Sequence, residues 1–403
     1  MTYSSIHKRI PLIIIREGLT KAFIPNLDYY RRPNGLYEPS WAPVFYNPRM
    51  EFNRDIAVLF INTIDYPHKM IVTDPLAGTG IRGIRYAIEC SNVEKVYIND
   101  INPIAYELML ENVKLNNVED RVIVDCLEAN LMLRYYVSLG VRFDLIDIDP
   151  FGSPIPFIDS ALNALKNGGF IAVTATDTAP LTGTHADACF RRYHVKVSKT
   201  DFEKEMAVRV LLASLALRGA VYDLYMEVYL SYYADYYVRA YVRYCKGARK
   251  ASSIIKNEIG YILYCYNCLF RDVSTEPFEY SHTCPICSSK LIILGPLWIG
   301  KLGKIELIDK ALTVLGELQL NTKNRIIALL TTLREEYKIN SPYYYRLDKL
   351  CSKLRTSMPP MQKLIEEIER QGYRVVRSHF DSRGLRTDMP YNLLRELILN
   401  MKS

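Results

Sequence analysis

Between residue 69 and about residue 245 the chain alternates strand-like and helix-like segments, and this rhythm restricts the possible folds more than any other feature. Lys69–Thr73, Val96–Asn99, Arg121–Val124, Phe143–Ile148 and Phe170–Thr174 read as short strands. Ile81–Cys90, Pro103–Leu115, Ile155–Leu165 and Glu203–Arg218 read as helices, with Pro103 in a first turn and Gly168-Gly169 expected to stop the third. Strands separated by helices pair in parallel, under helices on both faces. Leu224–Tyr244 then holds two β-rich runs separated only around Ala234-Asp235, which leaves no room for a crossover helix and predicts an antiparallel pair. The expected fold class is therefore α/β, a Rossmann-like sheet ending in an antiparallel hairpin.

Residues before 69 form a lead-in, with a strand near Ile10–Ile15, a loop over Tyr29–Pro43 and a helix after Pro48 to about Thr63. The run Ile10–Ile15 is far too short to span a bilayer and lacks the cleavage pattern of a signal peptide. Four of nine cysteines fall in one spaced cluster, Cys265-x2-Cys268 and Cys284-x2-Cys287, with 15 residues between the pairs. Two such knuckles suit a closed, structural zinc site in a reducing, cytoplasmic setting rather than a disulfide framework. His282 is a neighbour, surplus to the four ligands. After Pro296 the chain reads mostly as helix: Tyr343–Leu354, then Pro359-Pro360 to Gln371, then two short strands, Tyr373–Arg377 and Leu385–Thr387, and a last helix after Pro390. Helix, helix and a two-stranded wing make an α+β, winged-helix-like domain. With 403 residues and 49% hydrophobic content, two to three domains are expected. The boundaries read as 1–250, a zinc-ribbon-like module at 251–295, and 296–403.

The first sheet strand leads into Asp74-Pro75-Leu76-Ala77-Gly78-Thr79-Gly80-Ile81-Arg82-Gly83. Glycines such as Gly78 and Gly80 at a strand-to-helix turn let backbone approach a ligand closely. Asp100 ends the next strand, 20 residues after Gly80, where an acid can accept both hydroxyls of a ribose. The pattern is equally a formal dinucleotide fingerprint. By itself the loop separates neither NAD from S-adenosyl-L-methionine nor either from a structural turn. Glu128-Ala129, past the third strand, could meet an adenine amine.

The fourth strand ends in Asp149-Pro150-Phe151-Gly152. Ligands in open α/β sheets bind outside the carboxyl ends of the strands, which puts Asp149 at the mouth of the sheet. An exocyclic amine on a base is a poor nucleophile, because its lone pair is delocalised into the ring. A carboxylate aimed at its N–H protons restores electron density on nitrogen and can take the released proton. Pro150 stiffens the turn and leaves its carbonyl as a second acceptor, Phe151 offers a stacking face, and Gly152 removes bulk beside it.

With these residues in place, the chain resembles the tRNA (guanine-26 N2)-dimethyltransferases, a family of class I S-adenosylmethionine-dependent methyltransferases. The resemblance rests on Phe45-Tyr46-Asn47-Pro48-Arg49-Met50 with Asn53-Arg54-Asp55, and on Thr79–Arg85, Asn99-Asp100 and Asp149–Pro154. It extends through Val173–Asp177, Ala179-Pro180-Leu181, Gly183–Arg191, Arg239–Val242 and Gly295–Trp298, and so covers about residues 10 to 390. It implies that Arg54, Arg82, Asp100, Glu128 and Ala129 contact S-adenosyl-L-methionine, that Asp149 is the catalytic carboxylate, and that Phe45 and Phe151 sandwich the target guanine. Two departures stand out: Ala77-Gly78 replaces the commoner Ser-Ala, and Glu128 replaces a commoner Asp.

A net charge of +7 fits an RNA or DNA partner. Arg243, Lys246, Arg249 and Lys250, interleaved with aromatics, and Lys363, Arg370, Arg374, Arg377, Arg383 and Arg386 read as a tRNA grip. No membrane contact and no obligate protein partner is evident. Two rival readings are an NAD-dependent oxidoreductase built on the same glycine loop and a non-catalytic tRNA-binding protein.

Overall fold

Side chains and backbone are described for residues 5–277, 279 and 281–401 of a computed structural model, apart from the side chain of Ser5. The chain divides into two compact units, one holding residues 1–150, 156–173 and 309–328, the other 151–155, 174–308 and 329–403.

The first unit opens with α1 (Ser5–Arg9) and the hairpin β1 (Leu12–Glu17) and β2 (Thr20–Pro25), followed by α2 (Glu51–Thr63). Then come β3 (Met70–Asp74), α3 (Ile81–Glu89), β4 (Val93–Asn99), α4 (Pro103–Leu115), β5 (Val122–Asp125), α5 (Ala129–Ser138), β6 (Phe143–Ile148), α6 (Ile155–Ala164) and β7 (Leu165–Ala175). The strands run in parallel in the order β5-β4-β3-β6-β7. Chain order reverses between β3 and β6, so the crevice at their carboxyl ends is the topological switch point where such sheets take ligands. β6 is buried along its whole length, as its near-continuous apolar sequence requires.

The N-terminal hairpin is fixed by α4 rather than by another strand. Asn112 Oδ1 accepts from Phe23 N–H at 2.6 Å and its Nδ2 donates to Phe23 O at 3.0 Å. One turn on, Asn116 does the same for Lys21, at 3.0 and 2.7 Å. Two asparagines at i and i+4 thus satisfy backbone groups that a sheet edge would leave open.

One expectation fails here. Gly168-Gly169 does not stop a helix; α6 ends at Ala164 and the pair lies inside β7. Phe143 faces Leu165 and Leu145 faces Phe170, so the intervening residues of β7 bulge. Gly168 adopts φ +83°, which a bulge admits and glycine tolerates.

The second unit holds α7 (Thr178–Leu181), α8 (Ala186–Tyr193), α9 (Glu203–Val221), the antiparallel pair β8 (Leu224–Ala234) and β9 (Tyr237–Lys246), and α10 (Ala248–Glu258). The hairpin turns at Asp235, as the sequence indicates. A three-stranded sheet follows in the order β11-β10-β12, from β10 (Ile259–Tyr264), β11 (Arg271–Ser274) and β12 (Ile292–Trp298). Two helices, α11 (Ile305–Val314) and α12 (Lys323–Glu336), come next in the chain, with residues 309–328 belonging to the first unit. The chain ends in β13 (Tyr345–Arg346), α13 (Leu347–Leu354), α14 (Met361–Arg370), β14 (Val375–Arg377), β15 (Gly384–Thr387) and α15 (Tyr391–Asn400). The wing is therefore three-stranded, β13-β15-β14, because Tyr345 and Arg346 pair with β15 instead of starting the helix read from Tyr343. The fold is the α/β class expected, with the parallel sheet, the antiparallel hairpin, a cysteine module and a C-terminal α+β region. Among the described residues, no helix is long and apolar enough to cross a membrane.

Candidate active site

The carboxyl ends of β3 and β6 bring three carboxylates around one guanidinium. Arg82, in the first turn of α3 and 4% exposed, donates through Nη2 to Asp149 Oδ2 and lies 3.4 Å through Nη1 from Asp147 Oδ2. Tyr86, one turn further along α3, donates to that same Asp147 oxygen at 2.5 Å. Asp74, at the end of β3, is buried, and its Oδ1 has no hydrogen-bond partner among the described residues. Burial raises the Asp74 carboxyl to about 8; Arg82 pulls it down, but Asp147 and Asp149 push it up again. Carboxylates gathered around one cation repel one another, and burial adds to this at Asp74, so its proton is held more tightly than an ordinary carboxyl's. Asp149 is the most exposed of the three, with 16% of its side chain open. Asp144, the other acid of β6, is engaged elsewhere, by Ile71 N–H at 2.7 Å, Lys166 at 2.8 Å and His68 at 3.0 Å.

The glycine loop crosses above β3. Gly78 has φ +55°, and a Cβ there would sit 2.9 Å from the carbonyl oxygen of Phe45. A Cβ on Gly83 would meet Ile98 at 2.2 Å, so this glycine lets α3 pack directly on β4. Asp100 accepts from Gly78 N–H and from Asn102 N–H, each at 2.9 Å. One oxygen serves each bond, so both keep a lone pair for a further donor. Asn99, fully buried, donates to Pro75 O at 3.0 Å and Leu127 O at 2.9 Å and accepts from Leu127 N–H at 2.9 Å. It fastens the loops after β3 and β5 to the end of β4. Beside Asp100 a cleft of about 560 Å³ opens between Tyr106, Val124, Cys126, Leu127, Leu131 and Tyr135. Glu128 is exposed and caps α5, accepting from Leu131 N–H at 2.9 Å, while Ala129 is buried behind it. Glycine backbone, a ribose-height carboxylate, an apolar cleft and an orphaned buried oxygen on Asp74 together fit a nucleoside-bearing ligand.

Arg54 stands against Glu17 rather than in the open crevice. Its Nε and Nη2 reach the two Glu17 oxygens at 2.7 and 2.5 Å, and Nη2 also donates to Asn47 O at 3.2 Å. Tyr46 donates to Glu17 at 2.8 Å, and Arg85 binds Asp55 at 2.7 Å and Glu89 at 3.0 Å. Burial would raise the Glu17 carboxyl, but Arg54, Arg85 and Tyr46 outweigh it and hold the group low. This network anchors the segment that carries half-buried Phe45 beside the glycine loop. Pro150 is buried, and Phe151, the first residue of the second unit, is 67% exposed.

Residues 33–399 match the family described as N2,N2-dimethylguanosine tRNA methyltransferase. The chain belongs to that family. It is 38% identical over 394 residues to the tRNA (guanine(26)-N(2))-dimethyltransferase of Methanosphaera stadtmanae, covering 96% of this chain and 97% of that one. It is 38% identical over 387 residues to the tRNA (guanine(26)-N(2)/guanine(27)-N(2))-dimethyltransferase of Aquifex aeolicus, covering 94% and 93%. Among solved structures it resembles Trm1 from Pyrococcus horikoshii in complex with S-adenosyl-L-methionine, at 33% identity and a TM-score of 0.83, over 96% of this chain and all of that one.

In this N2,N2-dimethylguanosine tRNA methyltransferase family member the four spaced cysteines meet. The Sγ atoms of Cys265, Cys268, Cys284 and Cys287 lie within 4.8 Å of one another, with Cys265–Cys287 and Cys268–Cys284 each at 3.5 Å. A tetrahedral zinc ion with bonds of roughly 2.3 Å sets its sulfurs about 3.8 Å apart, so the group can hold one. The two knuckles repeat one turn: Leu269 N–H donates to Cys265 O and Ser288 N–H to Cys284 O, both at 2.9 Å. His282 is exposed and outside the sulfur group.

The basic residues divide. Lys246, Arg249 and Lys250 are exposed, as are Lys363, Arg370, Arg374, Arg377 and Arg383. Arg386 is not available to RNA: it is 2% exposed and donates to Glu205 at 2.7 Å. Sequence reasoning gave no role to Asp74, Tyr86, Asp147, Glu17 or Asn99. The usable signal was charge inside an apolar strand, since an acid such as Asp147 in Phe143–Ile148 needs a buried partner.

Proposed function

We propose that this chain is a tRNA (guanine-26 N2)-dimethyltransferase, moving one or two methyl groups from S-adenosyl-L-methionine to the exocyclic N2 amine of guanine 26. The observation that carries the proposal is the placement of Asp149 at the sheet's switch point, held by Arg82 next to the glycine loop, in a chain alike over its full length to proteins of that name. Bound S-adenosyl-L-methionine supplies an electrophilic sulfonium methyl. The loop at Gly78 and Gly80 would receive its methionine end, with Arg54 and Arg82 nearby. Asp100 would take the ribose hydroxyls, and Glu128-Ala129 would border the adenine at the cleft of Leu127 and Cys126.

Asp149 and the Pro150 carbonyl accept the two N–H protons of the guanine amine. This aims the nitrogen lone pair along the line of attack and gives the released proton a carboxylate. Arg82, bonded to Asp149 through Nη2, holds that carboxylate in place. Phe45 and Phe151 stack on the two faces of the guanine once it leaves the tRNA stack. Each transfer breaks one sulfur–methyl bond and leaves S-adenosylhomocysteine; after its exchange for fresh donor and release of the proton from Asp149 to solvent, rotation of the methylated amine would present the second N–H for another transfer. The dinucleotide reading of the loop leaves Asp149–Gly152 without a role.

In this account the methyltransferase domain spans about 1–250, the zinc module 251–295 and a tRNA-binding domain 296–403, in a cytoplasmic protein. Incubation with unmodified tRNA and labelled methyl donor, followed by nucleoside analysis, tests the assignment. N2-methyl- or N2,N2-dimethylguanosine at position 26 is expected; no methylated guanosine from any tRNA overturns it.

A further inference from the structure

The second unit presents exposed aromatics and cations in one connected stretch that the reaction at Asp149 does not use. α8 buries Cys189 and Tyr193 and turns Phe190 outward, 59% exposed, beside exposed Arg191 and Arg192. Phe190 therefore offers an open ring face flanked by two cations.

The helix is tied to the loop bearing Phe151. Tyr193 donates to Asp177 at 2.6 Å and is also in hydrogen-bonding contact with Ser153; Arg192 binds Asp177 at 3.0 Å. Gly152 N–H donates to Thr176 Oγ1 at 2.7 Å, and Thr176 N–H returns a bond to Gly152 O at 3.0 Å. On the other side, His194–Lys199 adds exposed Lys196 and Lys199 and no acid. Ser198 then hydrogen-bonds the hydroxyl of Tyr266, a ring 44% exposed between Cys265 and Cys268 of the first zinc knuckle.

We propose that Phe190, Arg191, Lys196 and Tyr266 form a track for the RNA strand flanking the target base, with unstacked bases on the two rings and phosphates on the two cations. The proposal rests on the tRNA methyltransferase reading and extends it to how the substrate strand is held. Rings that accept any base and cations that meet phosphates are the chemistry of single-stranded RNA contacts. The zinc knuckle thereby fixes the backbone on either side of Tyr266 and holds that ring in the track.

Binding of unmodified tRNA transcript to the intact protein tests the track. Phe190→Ala and Tyr266→Ala should each weaken binding by about tenfold, while Phe190→Trp restores it. Arg191→Ala with Lys196→Ala should flatten the dependence of log affinity on log salt by about 1.4. Binding of S-adenosylhomocysteine and the melting temperature should not change in any of these. If the alanine variants bind tRNA like the parent with an unchanged salt slope, the track is wrong. If they lose tRNA and S-adenosylhomocysteine together, the effect is structural and the track is again wrong. A parent protein that binds no tRNA removes the functional reading first and the track with it.

Discussion

Tyr86 donates its phenolic proton to Oδ2 of Asp147 at 2.5 Å, and through Asp147 it acts on Arg82, the residue that holds Asp149. Tyr86 is fully buried, so Tyr86→Phe removes a donor without altering packing volume. An oxygen of a buried carboxylate then loses a partner, which costs about 1–3 kcal/mol. The expected result is a lower unfolding midpoint in denaturant together with a fall in kcat, with KM for tRNA unchanged. A variant with parental stability and kcat would show that Asp147 needs no help from Tyr86.

Asp74 gives the cofactor-free protein a distinct pH dependence. Its carboxyl stands at about 8 when folded, against an ordinary 3.8. Between these values the folded state keeps a proton that the unfolded chain has released. The contribution to stability is therefore complete below the lower value and is lost as pH rises through the upper one. Melting curves from pH 4 to pH 9 should show the parent losing stability across this window and Asp74→Asn losing less. Parallel curves for the two proteins would mean that Asp74 holds no extra proton in the folded state.

Gly78 couples the glycine loop to the lead-in segment. With φ +55° and Phe45 O at 2.9 Å from a would-be Cβ, Gly78→Ala must move one of the two. Titration with S-adenosylhomocysteine should show affinity falling by about tenfold or more, since a backbone shift there costs on the order of 1–3 kcal/mol. Unchanged affinity would mean that the ligand does not touch this turn.

The cysteine group should hold one zinc ion per chain. Metal analysis of protein purified without added zinc tests this directly. Cys284→Ser, which removes a buried ligand, should lower zinc content and melting temperature together. A zinc-free protein with unaltered melting would leave the four thiols without a metal role.

How far the sequence could be read depended on distance along the chain. The parallel strands, the hairpin at Asp235 and the cysteine pairs follow local periodicity or fixed spacing, and each is found. Gly168-Gly169 misleads because a glycine pair marks a helix end or a strand bulge equally well, and only the register with β6 decides. Arg386 looks like a phosphate ligand until Glu205 is seen, 181 residues away in sequence, to be its partner. The helix α8 escaped because only its Cys189 and Tyr193 are buried, too few to make a period. At the site, Asp149 and Asp100 were legible from their positions at strand ends. Asp74, Asp147 and Tyr86, gathered around the Arg82 that holds Asp149, were not, since their partners come from different strands and helices.

In the proposed reaction Asp149 accepts from the guanine amine and takes its proton. The most direct test is single-turnover methyl transfer to unmodified tRNA by the parent, Asp149→Ala and Asp149→Asn, with cofactor and tRNA binding measured in parallel. The account predicts a rate loss of about 100-fold or more for both variants, with the asparagine retaining more activity because it can still accept one N–H, and with binding little changed. Methyl transfer at the parental rate by Asp149→Ala would contradict it.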